Sequence, residues 1–152
     1  MMRLPSAITV AVSFALAVSF ASTPDSDWNY DVVDSVAGQF SSLKFDSSGN
    51  GHVAYMNVTE QELKYAFWDA RLKRWFTTVI DKSRGFCSLA LDSKQRPHIS
   101  YLAYGGNWQM KYAHWNGTEW QIEPIQIRAR DISFYTSITL DAQDFPHITY
   151  YE

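Results

Sequence analysis

Three copies of one pattern run along the chain, and this repetition limits the fold more than any other feature of the sequence. Each copy contains Ser-x-x-x-Asp followed by His-x-x-Tyr. The copies begin at Ser42, Ser88 and Ser137, so successive starts are 46 and 49 residues apart. A chain with such a period folds as similar structural units that pack against their neighbours, rather than around one irregular core.

Between these landmarks, short runs alternate apolar and polar residues, as half-buried β-strands do. A third segment is Leu63-Lys-Tyr-Ala-Phe-Trp68 in one copy and Met110-Lys-Tyr-Ala-His-Trp115 in the next, and a fourth opens with Trp75 or Trp120. Four strands at this period are typical of the blades of a β-propeller. We therefore predict an all-β fold, a β-propeller of four-stranded antiparallel blades.

The copies differ in completeness. We predict one strand of a preceding blade at 28–34, a blade at 42–81, a blade at 88–127 and a half blade at 137–151, which makes about two full blades plus parts of two others. Propellers close a ring of roughly four to eight blades, and an open arc exposes strand edges. The chain is therefore predicted to be a fragment of a longer propeller, or else several copies associate as a homo-oligomer that completes the ring.

The first residues have the features of an export signal. Arg3 precedes an apolar run over residues 8–20, and Ser19-Phe20-Ala21 offers small residues at the two positions that a signal peptidase recognises. The run is shorter than the roughly 20 residues of a spanning helix. We predict a cleaved signal peptide at 1–21, a partial propeller at 22–152, and no stable membrane insertion after cleavage. The protein would then be secreted, either extracellular or periplasmic.

Composition excludes several classes of function. The chain has 13 basic and 16 acidic side chains, which gives no electrostatic basis for binding nucleic acid. Its one cysteine, Cys87, cannot form an internal disulfide, and its position predicts a small buried strand residue. No phosphate-binding loop, zinc-ligand spacing or dinucleotide fingerprint is present, so we predict neither a metal site nor a cofactor.

The repeated histidines are the first candidates for chemistry. Each histidine follows an aspartate six residues earlier, and the pairs are Asp46 with His52, Asp92 with His98, and Asp141 with His147. A catalytic triad converges once in a cleft, whereas this pair recurs in every copy. We therefore predict a structural hydrogen-bond network within each blade, and no catalytic residue.

Residues that depart from the repeat are better candidates for ligand contact. Trp108 has no counterpart in the preceding copy and follows Gly105-Gly-Asn107, so we predict that it lies in a loop. The full set of predicted ligand-binding residues is Trp108, His114, Arg84, Arg128 and Tyr135.

The motifs Ser-Leu-x-Leu-Asp, Pro-His-Ile-Ser-Tyr and Leu-Lys-Tyr-Ala-x-Trp resemble the repeats of secreted bacterial β-propellers described as sialidase-like or lectin-like. The resemblance covers residues 28–152. A sialidase Asp-box reads Ser-x-Asp-x-Gly-x-Thr-Trp, whereas Ser88 and Asp92 are four residues apart, and this departure argues against sialidase chemistry.

We expect a secreted module that binds a glycan or protein ligand without catalysis, most concretely a carbohydrate. Two alternatives stay open. One is a fragment of a sialidase-like glycoside hydrolase, whose arginine cluster would draw on Arg84, Arg128 and Arg130. The other is a plain protein-interaction scaffold.

Overall fold

The protein is all β in the residues that its computed structural model describes, which are 8–11, 29–36, 38–104, 108–125 and 135–151. No helix among them is long and apolar enough to cross a membrane. The strands are β1 (Ile8–Ala11), β2 (Asn29–Val32), β3 (Gly38–Phe45), β4 (Gly51–Asn57), β5 (Glu62–Asp69), β6 (Arg74–Lys82), β7 (Cys87–Leu91), β8 (Pro97–Tyr104), β9 (Trp108–Trp115), β10 (Trp120–Pro124), β11 (Thr136–Leu140) and β12 (Pro146–Tyr150).

The strands form the antiparallel sheets that the repeat predicts. Strands β3 to β6 make the first sheet and β7 to β10 the second, each in sequence order, while β11 and β12 form a pair. Register is also repeated, because Leu89 lies opposite Ile99 in the second sheet and Ile138 lies opposite Ile148 in the pair. The prediction of an all-β fold with four-stranded antiparallel sheets is confirmed.

Strand β2 lies where the sequence predicts a strand of a preceding blade. It pairs in parallel with β1, so that Ile8 lies opposite Asn29. Strand β1 falls inside the predicted signal peptide, and the other residues of that segment lie outside the described part of the chain. Signal cleavage therefore stays a prediction.

The repeated serines join neighbouring sheets. The first strands β3, β7 and β11 lie side by side. The backbone amide of Leu89 donates a hydrogen bond of 3.1 Å to Ser42 Oγ, and the amide of Ile138 donates one of 3.2 Å to Ser88 Oγ. The side chains of Ser42 and Ser88 thus each bind the first strand of the following unit, which explains why serine recurs at this position.

A second repeated link starts from an aspartate at the end of a fourth strand. Asp81 Oδ2 accepts hydrogen bonds from Tyr101 Oη at 2.6 Å and from Lys111 Nζ at 2.7 Å, both in the following sheet. Burial alone would raise the pKa of Asp81, but the hydrogen bonds from Lys111 and Tyr101 hold it below its ordinary value. One copy earlier, the same link is made by Asp34, Tyr55 and Lys64.

Apolar side chains from adjacent units fill the space between the sheets. One cluster contains Leu89, Ile99 and Tyr101 from the second sheet together with Leu63 from the first. Trp120 packs against this cluster, as Trp75 packs against a smaller one that includes Val33 and Tyr55. Cys87 is buried as predicted, and burial raises the pKa of its thiol to about 12.

Candidate ligand-binding rim

The repeated aspartates build the turn between the first and second strands of each unit. Asp92 Oδ1 accepts backbone hydrogen bonds from Lys94 at 2.9 Å and from Arg96 at 2.7 Å. Its other oxygen, Oδ2, accepts a hydrogen bond of 2.6 Å from Arg96 Nε. Asp46 and Asp141 bind the amides two and four residues further on in the same way. These carboxylates are therefore engaged by the chain itself.

Each repeated histidine in the two full sheets lies between a tyrosine and the turn aspartate. His98 Nδ1 is 2.5 Å from Tyr112 Oη, and His98 Nε2 is 3.5 Å from Asp92 Oδ2. At this distance Nε2 makes no hydrogen bond among the described residues. Because the group that it faces is a carboxylate, we assign the ring proton to Nε2, so that the tyrosine hydroxyl donates to Nδ1. His52 repeats the arrangement, with Tyr65 Oη at 2.6 Å and Asp46 Oδ2 at 3.6 Å.

The third histidine is less enclosed. His147 Nε2 lies 3.0 Å from Asp141 Oδ2, and its side chain is exposed. No group of three His, Cys, Asp or Glu side chains among the described residues is arranged to hold a metal ion.

The two buried histidines predict a pH dependence of stability. Burial lowers the pKa of His52 and His98 below the ordinary value of 6.5, although the neighbouring aspartates raise it. As the pH falls below 6.5, the unfolded chain binds protons that the folded chain excludes, so the free energy of unfolding decreases. We expect the Tm to drop between about pH 7.5 and 5.5.

Scanning calorimetry across this range checks the expectation. His98→Gln should flatten the profile, because it removes one of the two histidines whose pKa is lowered by burial. His147→Gln is the comparison variant, since it removes an exposed imidazole, and the fall in Tm that His52 and His98 cause should remain in it. A wild-type Tm that does not change over this pH range would contradict the lowered pKa of His52 and His98.

The structure places three of the predicted ligand-binding residues at the same end of the second sheet and of the β11–β12 pair. Arg84 precedes β7, Trp108 opens β9 opposite Tyr104, and Tyr135 precedes β11. Trp108 is therefore a strand residue, and its predicted position in a loop was wrong. Because antiparallel neighbours run in opposite directions, the starts of β7 and β9 and the end of β8 lie at the same end of the sheet. Arg128 lies outside the described residues.

At this end of the sheets, aromatic rings from three successive repeats form a row. The ring centroids of Phe40 and Phe86 are 4.0 Å apart, and those of Phe86 and Tyr135 are 4.2 Å apart. Each ring stands two residues before a repeated serine. Tyr135 thus continues the repeat, and the interpretation that it breaks the repeat was wrong. We call Phe40, Phe86, Trp108 and Tyr135 the aromatic rim.

Phe40 and Phe86 were missed by the sequence analysis. An aromatic residue at the same offset from Ser42, Ser88 and Ser137 was the available signal. Tyr135 is the most open member of the row, with 64% of its surface exposed. Phe40 and Phe86 are half-buried.

His114 lies at the opposite end of β9 from the aromatic rim. It occupies the position of Phe67 in the first sheet and stacks on His98 and Tyr112, with ring centroids 5.6 and 5.2 Å apart. Its Nδ1 is buried and has no hydrogen-bond partner among the described residues. The structure therefore does not bring His114 together with the other predicted ligand-binding residues.

A second concave region lies where the first strands end, at the opposite end from the rim. It is a pocket of about 360 Å³. Lys44, Gln95 and Thr139 supply its polar groups. The amide of Ser47 already donates a hydrogen bond of 3.0 Å to Gln95 Oε1, so this oxygen links the first and second units.

Comparison with known proteins does not assign the chain to a family. No protein-family model matches it, and no curated protein sequence does. One similar solved structure is a fucose lectin from Kordia zhangzhouensis in complex with methyl-fucoside, with 18% sequence identity and a TM-score of 0.47. The alignment covers 71% of this chain and 80% of that chain. At this TM-score the likeness carries no conclusion about the ligand of this protein.

Proposed function

We propose that the chain is a non-catalytic binding module that recognises carbohydrate at the aromatic rim. The observation that carries the proposal is the row of rings from Phe40 through Phe86 to Tyr135. Such rings usually lie inside a core, whereas this row ends in an exposed tyrosine. An exposed apolar surface with a polar handle is typical of a binding site.

The chemistry of the rim suits a sugar. One face of a pyranose ring carries C–H groups and can stack on an aromatic ring, while its hydroxyls need hydrogen-bond partners. The hydroxyl of Tyr135 can both donate and accept hydrogen bonds. The guanidinium of Arg84, which lies just before β7, can donate them. The four residues of the aromatic rim include no carboxyl group, which favours binding over hydrolysis, because glycoside hydrolysis requires two carboxyl groups across the bond.

The repeated histidines support a binding role rather than an enzymatic one. In both full sheets the imidazole is buried, and its Nδ1 is hydrogen-bonded to a tyrosine of its own unit. A catalytic base needs access to the substrate proton. A sialidase-like hydrolase would instead require an arginine cluster, and it is tested as an alternative below.

We further propose that the sheets are blades of a partial β-propeller, with the bounds that the sequence predicts. The adjacency of β3, β7 and β11 and the repeated serine and aspartate links support this arrangement. We also propose that the protein is exported and that residues 1–21 are removed. Intact-mass analysis of exported protein that still begins at Met1 would contradict cleavage.

A glycan array is the test of the proposed function. The wild-type chain is expected to bind a group of related glycans, and Tyr135→Ala to reduce the signal about tenfold or more, because an exposed stacking ring is lost. Tyr30→Ala, which removes an exposed tyrosine on β2, is the matched control and should bind as the wild type does. Array binding by neither protein, or equal binding by Tyr135→Ala, contradicts the proposal.

The hydrolase alternative has its own readout. Turnover of a fluorogenic sialoside by the wild-type chain, lost in Arg84→Ala, would make the protein an enzyme and overturn the binding role. We expect no turnover above background in either case.

A further inference from the structure

The outer edge of β12 has no paired strand among the described residues, whereas its counterparts β4 and β8 are each covered by a third strand. Side chains on β12 are therefore more exposed than the equivalent side chains on β4 and β8. Tyr55 and Tyr101 are 0% exposed, but the corresponding Tyr150 is 39% exposed. His147 is likewise exposed, in contrast to the buried His52 and His98.

A pocket of about 270 Å³ lies beside this edge, between the second sheet and β12. Its lining residues include Tyr112, Ile125, Ile148 and Tyr150. It is mainly apolar in character, which is unusual for a site in contact with water.

The internal repeat shows what belongs in this pocket. Tyr65 and Ile80 hold the positions of Tyr112 and Ile125 one copy earlier, and both pack with Trp120 against the same core cluster. The ring centroids of Tyr65 and Trp120 are 5.2 Å apart. One copy earlier still, Val33 and Trp75 lie in a common cluster. The pocket therefore corresponds to the position that the first tryptophan of a fourth strand fills.

The backbone of β12 also has donors directed to the open edge. In the second sheet the amide of Leu102 donates to Phe86 O, towards β7. Amide directions alternate along a strand, so the amides of Ile99 and Tyr101 face β9. Ile148 and Tyr150 occupy the matching positions, and we infer that their amides face the uncovered edge.

We propose that this edge binds a β-hairpin with the pattern of the chain's own third and fourth strands, Leu/Met-Lys-Tyr-Ala-x-Trp, a turn, and then Trp. Its first strand would pair with β12 so that its lysine lies opposite Tyr150, as Lys111 lies opposite Tyr101. The tryptophan that follows the turn would fill the pocket. The hairpin thereby continues the interface already formed between the first and second sheets, by strand addition. This inference does not depend on the proposed carbohydrate site.

The probe is a synthetic, fluorescently labelled peptide of residues 108–125, which contains β9, the Asn116-Gly117 turn and β10. Fluorescence anisotropy with the full chain is expected to show saturable binding with one peptide per chain. Hydrogen exchange should show that the amides of Ile148 and Tyr150 become protected on binding. Trp120→Ala in the peptide should weaken binding about tenfold or more, because the pocket then stays unfilled.

Variants of the protein locate the site. Tyr150→Ala should weaken peptide binding about tenfold, whereas Tyr30→Ala, an exposed tyrosine on β2, should bind as the wild type does. The absence of saturable binding, equal affinity for a scrambled peptide, or equal affinity of Tyr150→Ala would each overturn the proposal. A larger solution mass together with protected Ile148 and Tyr150 amides in the absence of peptide would overturn it as well, since a second copy would then occupy the edge.

Discussion

Leu89→Ala is expected to lower the free energy of unfolding by about 3 kcal/mol, because it opens a cavity in the cluster that joins the first and second sheets. Leu89 is 0% exposed and packs with Leu63, Ile99 and Tyr101. Surrounding strands hold the backbone in place on both sides, so the site has little freedom to collapse around the missing methyl groups. Urea denaturation followed by circular dichroism measures the change.

Leu72→Ala is the matched control for this substitution. Leu72 lies in the turn between β5 and β6 and is 45% exposed, so the same change in chemistry removes little buried surface. Its free energy of unfolding should stay within about 0.5 kcal/mol of the wild type. A similar loss for both variants would mean that the core does not lie between the two sheets.

Asp81→Ala is expected to lower the free energy of unfolding by about 2 kcal/mol. The substitution leaves the buried Tyr101 hydroxyl without its acceptor and the Lys111 ammonium without its counter-ion. The effect falls below that of a fully buried ion pair because the Asp81 and Lys111 side chains are 22% and 24% exposed. Thermal and urea unfolding at neutral pH check the result.

Glu123→Ala controls for the loss of one negative charge, since Glu123 is an exposed carboxylate on the fourth strand of the second sheet. It should unfold as the wild type does. Because the pKa of Asp81 is held below its ordinary value, the stabilisation is present above that value and is lost as the pH falls through the pKa of the folded state. An Asp81→Ala variant as stable as Glu123→Ala would contradict the link.

The sequence predicted the strands and their grouping because the repeat aligns equivalent positions and alternation has a period of two. The links between units were not predicted. They join Asp81 to residues 20 and 30 positions further on, and such distances carry no local pattern. The three partners do recur at aligned positions, as Asp34 and Asp81, Tyr55 and Tyr101, and Lys64 and Lys111, but the repeat does not show that they meet.

The candidate site was predicted in part. The predicted ligand-binding residues include Arg84, Trp108 and Tyr135, which the structure places at one end of the sheets, and His114, which lies at the opposite end of β9. The sequence alone does not show which residues of neighbouring strands lie at the same end of a sheet, because this depends on the strand register. The aromatic row was missed because Phe40 and Phe86 look like ordinary core residues when each copy is read alone.

Hydrogen exchange with the glycan that gives the strongest array signal tests the central claim most directly. Bound glycan is predicted to protect the backbone at the starts of β7 and β11, around Phe86 and Tyr135, and to leave the turns at 46–51, 92–97 and 141–146 unchanged. Protection confined to those turns, where the first strands end, would contradict binding at the aromatic rim and would place the ligand at the opposite end of the sheets.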